Sequence, residues 1–116
     1  LLQSSKYITA GTNFPYSAFI SPIALIHLLV NRQQLDTSLS SIPNMNQKLS
    51  VLDAVKAFTV YAAYAGFEEK TKGTLQKGKY ADFVVLSDDI FTYDPKKIKD
   101  IQVLKTVING KTVFSK

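Results

Sequence analysis

Hydrophobic and polar positions change their period along the chain, and each change predicts an element. Lys6 to Ala10 is a short β-prone run ending at Gly11, so Gly11-Thr12-Asn13-Phe14-Pro15 reads as a strand leaving a sheet into a loop. Ser21-Pro22 offers an N-cap followed by proline at the first helical position. Behind it, Ile23 to Arg32 is apolar on nearly every side, which predicts a helix that needs cover on more than one face. From Gln33 to Lys48 the chain turns polar and reads as a loop. A second helix is expected over Leu49 to Tyr64, opened by Ser50 with Asp53 three positions on in a box-like capping arrangement. Leu52, Val55, Phe58 and Ala62 then share one face, and Gly66 stands where a C′ residue belongs.

After Gly66 the pattern turns to β. Phe83-Val84-Val85-Leu86 is a four-residue apolar run within Ala81 to Leu86, consistent with a strand covered on both faces. Pro95 to Lys99 suits one short helical turn. Val103 to Ile108 and Lys111 to Phe114 flank Asn109-Gly110, the strongest short hairpin signal, because a type I′ turn needs positive φ at both central residues. The order is strand, helix, loop, helix and several strands. The first half reads as the last unit of an α/β layered structure and the second as a small β module.

Composition narrows the partners. At 116 residues, 46% hydrophobic and 20% charged, the chain is globular and long enough for one modest core, so one domain or part of one is expected. There is no cysteine, which excludes disulfides and thiolate metal sites and fits a reducing compartment. The longest apolar stretch, Phe19 to Val30, is interrupted by Ser21, Pro22 and His27 and falls short of the ~20 residues of a membrane span. A start at Leu1 without methionine suggests processing or a piece of something longer. The net charge of +5 invites a nucleic-acid reading, but Arg32 is the single arginine, and the later lysines alternate with Glu68, Glu69, Asp82, Asp88, Asp89, Asp94 and Asp100. Such interleaving marks a solvated, mixed-charge surface.

Gly73-Thr74-Leu75-Gln76-Lys77-Gly78-Lys79-Tyr80-Ala81-Asp82-Phe83-Val84-Val85-Leu86 resembles the C-terminal signature of the amidohydrolase superfamily, in which Gly-Lys-x-Ala-Asp leads into an apolar strand. Val103 to Phe114 is similar to the closing hairpin of those enzymes, and Leu49 to Tyr64 to the helix that links their barrel to the β module. Gly11-Thr12-Asn13-Phe14-Pro15 looks like a variant of the Gly-Ser-Asp-x-Pro motif of amidohydrolase family 3, the N-substituted formamide deformylase-like group. Asp100-Ile101-Gln102-Val103-Leu104 matches a further familiar segment of that group. The resemblance covers essentially the whole chain.

What the resemblance implies is an α/β parent, a metal-dependent hydrolase TIM barrel plus a composite β-sandwich, with this chain a mixed α+β fragment. Residues 1–66 would hold the last strand and closing helices of the (β/α)₈ barrel, and residues 67–116 the C-terminal part of the sandwich. A complete barrel takes ~250 residues. The implied parent is cytoplasmic and hydrolyses C–N bonds of a small amide-type substrate using a divalent metal, usually zinc. No metal is expected in this fragment, no nucleic acid or membrane is expected as partner, and the isolated fragment is expected to self-associate. Residues 6–11 not forming a strand, or residues 81–86 forming a helix, would overturn this reading.

Catalytic zinc needs about three protein ligands. The chain has one histidine, His27, inside an apolar helix, so it reads as a packed or capped residue and not as a ligand. By resemblance, Asn13 occupies the position of the family aspartate that orients or deprotonates the metal-bound water, with Thr12 and Phe14 beside the substrate. An amide cannot accept that proton. Three explanations stay open: an inactive homologue, another base, or a shifted alignment. Asn13 equally suits a turn, and Phe14 suits packing of the loop better than lining a substrate pocket. Asp82, beside a strand, reads as ordering a turn or meeting a lysine. Gly73-x-x-x-x-Gly78-Lys79 is no phosphate loop, because the flanking strand-then-helix context is missing and Tyr80 follows in place of Ser or Thr. The rival functional reading is a catalytically inactive homologue that serves as a structural or interaction module. A basic nucleic-acid binder ranks third.

Overall fold

A computed structural model describes residues 7–11, 21–32 and 47–116. Helix α1 spans Pro22–Asn31. Pro22 begins it, and Ser21 is extended as an N-cap should be, but its hydroxyl caps nothing; its carbonyl accepts from Leu25 N–H at 3.2 Å. Arg32 ends the helix in the left-handed region, with its N–H on the Leu28 carbonyl. Of the expected polar loop, residues 33–46 lie outside the described residues.

The single helix expected over 49–64 is two helices, α2 (Val51–Phe58) and α3 (Val60–Ala65). Its start is as expected: Ser50 Oγ accepts from Asp53 N–H at 3.0 Å and donates to the Asp53 carboxylate at 2.7 Å. The break falls at Thr59, whose hydroxyl donates back to the Val55 carbonyl at 2.9 Å while its N–H reaches Lys56. A threonine that bonds its own helix this way bends or interrupts it. The C′ assignment of Gly66 is one residue early. Gly66 has φ −85°, and the left-handed residue is Phe67 (φ 57°), with Phe67 N–H on Tyr64 O and Glu68 N–H on Ala63 O. That pair of bonds is a Schellman closure, and it sets the position regardless of the neighbouring glycine.

The buried face of α2 also differs from the expected stripe. Ala54 and Ala57 point inward with Val55 and Phe58 partly covered, while Leu52 is half exposed. Two alanines let neighbouring backbone approach more closely than a leucine would. Residues 7–11 are not a strand, which contradicts the expected last barrel strand and counts against that part of the barrel reading. Ala10 N–H reaches the Ala57 carbonyl, Tyr7 packs on Tyr61 and Tyr64, and Ile8 joins the core. A strand needs a neighbour to complete its ladder, and the described residues supply none beside this segment.

The C-terminal part forms a three-stranded antiparallel sheet, β1 (Phe83–Leu86), β2 (Val103–Ile108) and β3 (Lys111–Ser115), in that order. Phe83 faces Val107, and Thr106 faces both Val84 and Phe114. The Asn109-Gly110 hairpin is as predicted, with φ 49° and 74°. The strand expected over 81–86 is present, but it is not covered on both faces, since Phe83, Val84 and Val85 are all exposed. A 3₁₀ helix, Pro95–Asp100, replaces the single helical turn expected there, capped by Asp94 on Lys96 N–H.

One core joins the halves. Ile23 and Ile26 of α1, Leu49 and Ala54 meet Ile90, Ile98 and Ile101, with Ile98 fully buried. Gly73 docks the loop after α3 onto that helix. Its φ is +87°, and a Cβ there would lie 2.8 Å from Ala63 Cβ and 3.2 Å from Val60 Cα. Only glycine fits both the conformation and the space. Gly73→Ala is therefore expected to lose about 2–4 kcal/mol of stability, the combined cost of a left-handed side chain and overpacking. Urea denaturation reads it, and an unchanged midpoint contradicts the close approach.

Candidate functional site

The first site predicted from sequence, Thr12, Asn13 and Phe14, lies outside the described residues. Its approach is described: residues 7–11 run beside α2, and Gly11 is open, with nothing within 4 Å of its would-be Cβ.

His27 sits where the bland reading put it. It is 3% exposed, at the contact between α1 and the Pro95–Asp100 helix. Asn31, one turn on, donates from Nδ2 to the carbonyls of Pro95 at 2.7 Å and His27 at 3.1 Å, and lies 3.2 Å from His27 Nδ1. Sequence reasoning missed Asn31; the i, i+4 spacing of two polar residues on an apolar helix was the available signal. Burial pushes the His27 pKa below its ordinary 6.5 and the Lys99 ammonium adds to that, while Asp100 and a hydrogen bond at Pro95 oppose it. Among the described residues, no group of three or more His, Cys, Asp or Glu could hold a metal ion. His27, enclosed and facing Asn31, does not fit that role either.

The signature residues Gly73 to Leu86 work on the backbone. Lys79 Nζ donates to the carbonyls of Glu69 (2.6 Å) and Lys72 (3.3 Å), closing the loop onto itself. Asp82 Oδ1 accepts from Asn109 N–H at 2.7 Å, and the Ala81 carbonyl accepts from Gly110 N–H at 3.0 Å. The expectation that Asp82 orders a turn holds, and the turn is the hairpin 27 residues away. Gly73 and Gly78 both have positive φ, as turn glycines do.

An open cleft of about 780 Å³ lies between α2–α3 and the β1–β2 face, walled by Phe58, Ala62, Leu75, Phe83 and Val107. Thr74 Oγ1 is a buried polar atom in its wall without a hydrogen-bond partner among the described residues. Its rim carries Lys72, bound to Glu68 at 2.7 Å. That hydrogen bond holds the Lys72 pKa above its ordinary value, so Lys72 stays a cation and is no nucleophile. The cleft can cover apolar surface, and among the described residues that line it no hydroxyl is hydrogen-bonded to a base and the Lys72 amine is paired with Glu68 as a cation.

The sequence profile of the amidohydrolase family matches residues 9–114. The chain is 34% identical over its whole length to YtcJ of Bacillus subtilis (strain 168), provisionally named an amidohydrolase, of which it spans 22%. It is 32% identical over 98% of its length to the protein LONG AFTER FAR-RED 3 of Arabidopsis thaliana, of which it spans 19%. Among solved structures, an amidohydrolase from Thermotoga maritima MSB8 matches 72% of this chain and 22% of its own, at a TM-score of 0.51 and 24% identity, a likeness of fold alone. The chain belongs to the amidohydrolase family, and it spans about a fifth of the length of these relatives.

The His27 environment sets a pH dependence. The unfolded chain takes up a proton at His27 near pH 6.5, whereas the folded chain takes it up only at lower pH, so the unfolded state binds more protons between the two. The contribution of this site to stability is complete above about pH 6.5 and falls as pH drops below it. Urea midpoints compared between wild type and His27→Gln from pH 7.5 to 5 should diverge in slope at the acid end. Parallel curves would contradict the assignment.

Proposed function

We propose that this chain is the C-terminal portion of a metal-dependent amidohydrolase that cleaves C–N bonds of a small amide-type molecule in the cytoplasm. The observation that carries the reading is the family match over residues 9–114, which includes both the Gly11-to-Pro15 and the Gly73-to-Leu86 motifs. In this proposal residues 1–66 supply the closing helices of the barrel, without the strand expected over residues 7–11, and residues 67–116 supply part of the small β domain. The formamide deformylase-like group is the subtype proposed. The described residues do not fit a metal, so a divalent ion, zinc by resemblance, would be held by other segments of the full-length protein. No nucleic acid or membrane is part of the proposal; no helix among the described residues is long and apolar enough to cross a membrane.

Asn13 is proposed to occupy the family aspartate position, with Thr12 and Phe14 at the substrate. Barrel active sites gather at strand C-terminal ends, and an amide there removes a proton acceptor, not a hydrogen-bonding group. The second reading, an inactive homologue acting as a structural or interaction module, rests on that same substitution. Asn13→Asp in the full-length protein separates them. A gain of roughly 10²-fold or more in metal-dependent amide hydrolysis supports an acid–base role at this position. No gain, with no metal in the purified protein, favours the module.

The exposed apolar residues of the sheet support a further part of the proposal. Val84 and Phe114 are about half exposed and Val113 is 58% exposed, and among the described residues no strand pairs with the outer edges of β1 and β3. Uncovered apolar strands and open edges seek partners. The isolated 116-residue chain is expected to form dimers or larger species in light scattering at high concentration. A monomer under those conditions counts against it.

A further inference from the structure

Asn109-Gly110 is an exposed turn with a chemistry of its own. A deprotonated glycine amide following asparagine can attack the asparagine side-chain carbonyl, and glycine, lacking a Cβ, hinders that attack least. Here, however, both backbone amides of the turn are held. Asn109 N–H is bound to the Asp82 carboxylate at 2.7 Å and Gly110 N–H to the Ala81 carbonyl at 3.0 Å, while Asn109 is fixed in the left-handed region at φ 49°. A hydrogen-bonded amide resists deprotonation, and the attack needs the Asn109–Gly110 peptide to rotate out of its turn geometry.

We propose that Asn109-Gly110 is a deamidation site held shut by the Ala81–Asp82 clip. When the clip opens, the Gly110 nitrogen loses its proton and bonds to Asn109 Cγ, and the side-chain nitrogen leaves as ammonia after taking up a proton. The resulting succinimide is opened by water at either carbonyl, giving aspartate or isoaspartate; water is the one co-reactant. The product damages the clip that restrained it. Aspartate adds a carboxylate beside Asp82, and isoaspartate lengthens the backbone at a turn whose two residues set the register of β2 and β3. Opening once is reversible, whereas deamidation is not, so the site records how often the clip has opened.

The test incubates the full-length protein at mildly alkaline pH, beside a synthetic peptide spanning Thr106 to Lys111, and follows amide-to-acid conversion by peptide mapping. Wild type is expected to convert at least tenfold more slowly than the peptide, and Asp82→Ala to recover roughly a tenfold acceleration, the change that loss of one charge-assisted hydrogen bond gives to local opening. Asp82→Asn, which keeps an acceptor, should fall between. Should Asp82→Ala fail to fold, wild type alone decides: its deamidation rate should rise in parallel with hydrogen exchange at the Gly110 amide as urea is added below the unfolding transition. Conversion of the native protein at the peptide's rate, a folded Asp82→Ala variant that converts no faster than wild type, or deamidation that ignores Gly110 exchange would each overturn the proposal.

Discussion

Two hydrogen bonds from the Asn109-Gly110 turn to Ala81 and Asp82 tie the sheet together. The turn alone could fix only β2 against β3, since its positive φ angles set the hairpin register. By reaching the two residues that precede β1, it also fixes where β1 begins. Much of this sheet is exposed among the described residues, so packing alone holds its register weakly and these polar contacts matter more than in a fully covered sheet. The rest of the signature is built to the same end. Gly73 brings the loop against α3, and Lys79 ties that loop to two of its own carbonyls.

The residues that identify the family in this chain are thus residues of construction. None of Gly73, Lys79, Ala81 or Asp82 presents a free reactive group, and each answers a demand of the backbone. This explains how a segment about a fifth of the length of its relatives can match the family profile while the described residues offer no set of metal ligands. Geometry of this kind constrains residue types because glycine alone suits φ +87° in that space and a side-chain acceptor is needed opposite the Asn109 amide. The proposed catalytic position, Asn13, is by contrast a single residue outside the described residues.

Much of the fold was legible in the sequence where the determining physics is local. Asn-Gly dictated the hairpin, Ser50 with Asp53 the start of α2, and Ser21-Pro22 the start of α1. The misses came where residue type alone does not show which of several hydrogen bonds or packing contacts forms. The break at Thr59 depends on a hydroxyl turning back to its own helix. The C-terminus of α3 was set by the Schellman bonds to Ala63 and Tyr64, which put Phe67 and not Gly66 into the left-handed region. The inward face of α2 was assigned to Leu52 because large apolar residues signal burial, whereas close approach selected Ala54 and Ala57. The strand expected over 6–11 needs neighbours that the described residues do not provide. The candidate site itself, Thr12, Asn13 and Phe14, lies outside the described residues; His27 is packed and Asp82 orders a turn as expected, and the Asn31 contacts with His27 and Pro95 were not anticipated.

We propose that this chain is the C-terminal portion of a larger amidohydrolase whose metal-binding residues lie in other segments. The intact mass of the native polypeptide in its source cells tests that most directly. The account predicts a mass several times the 12.9 kDa of this chain. A native polypeptide of about 12.9 kDa would contradict it and leave a stand-alone module.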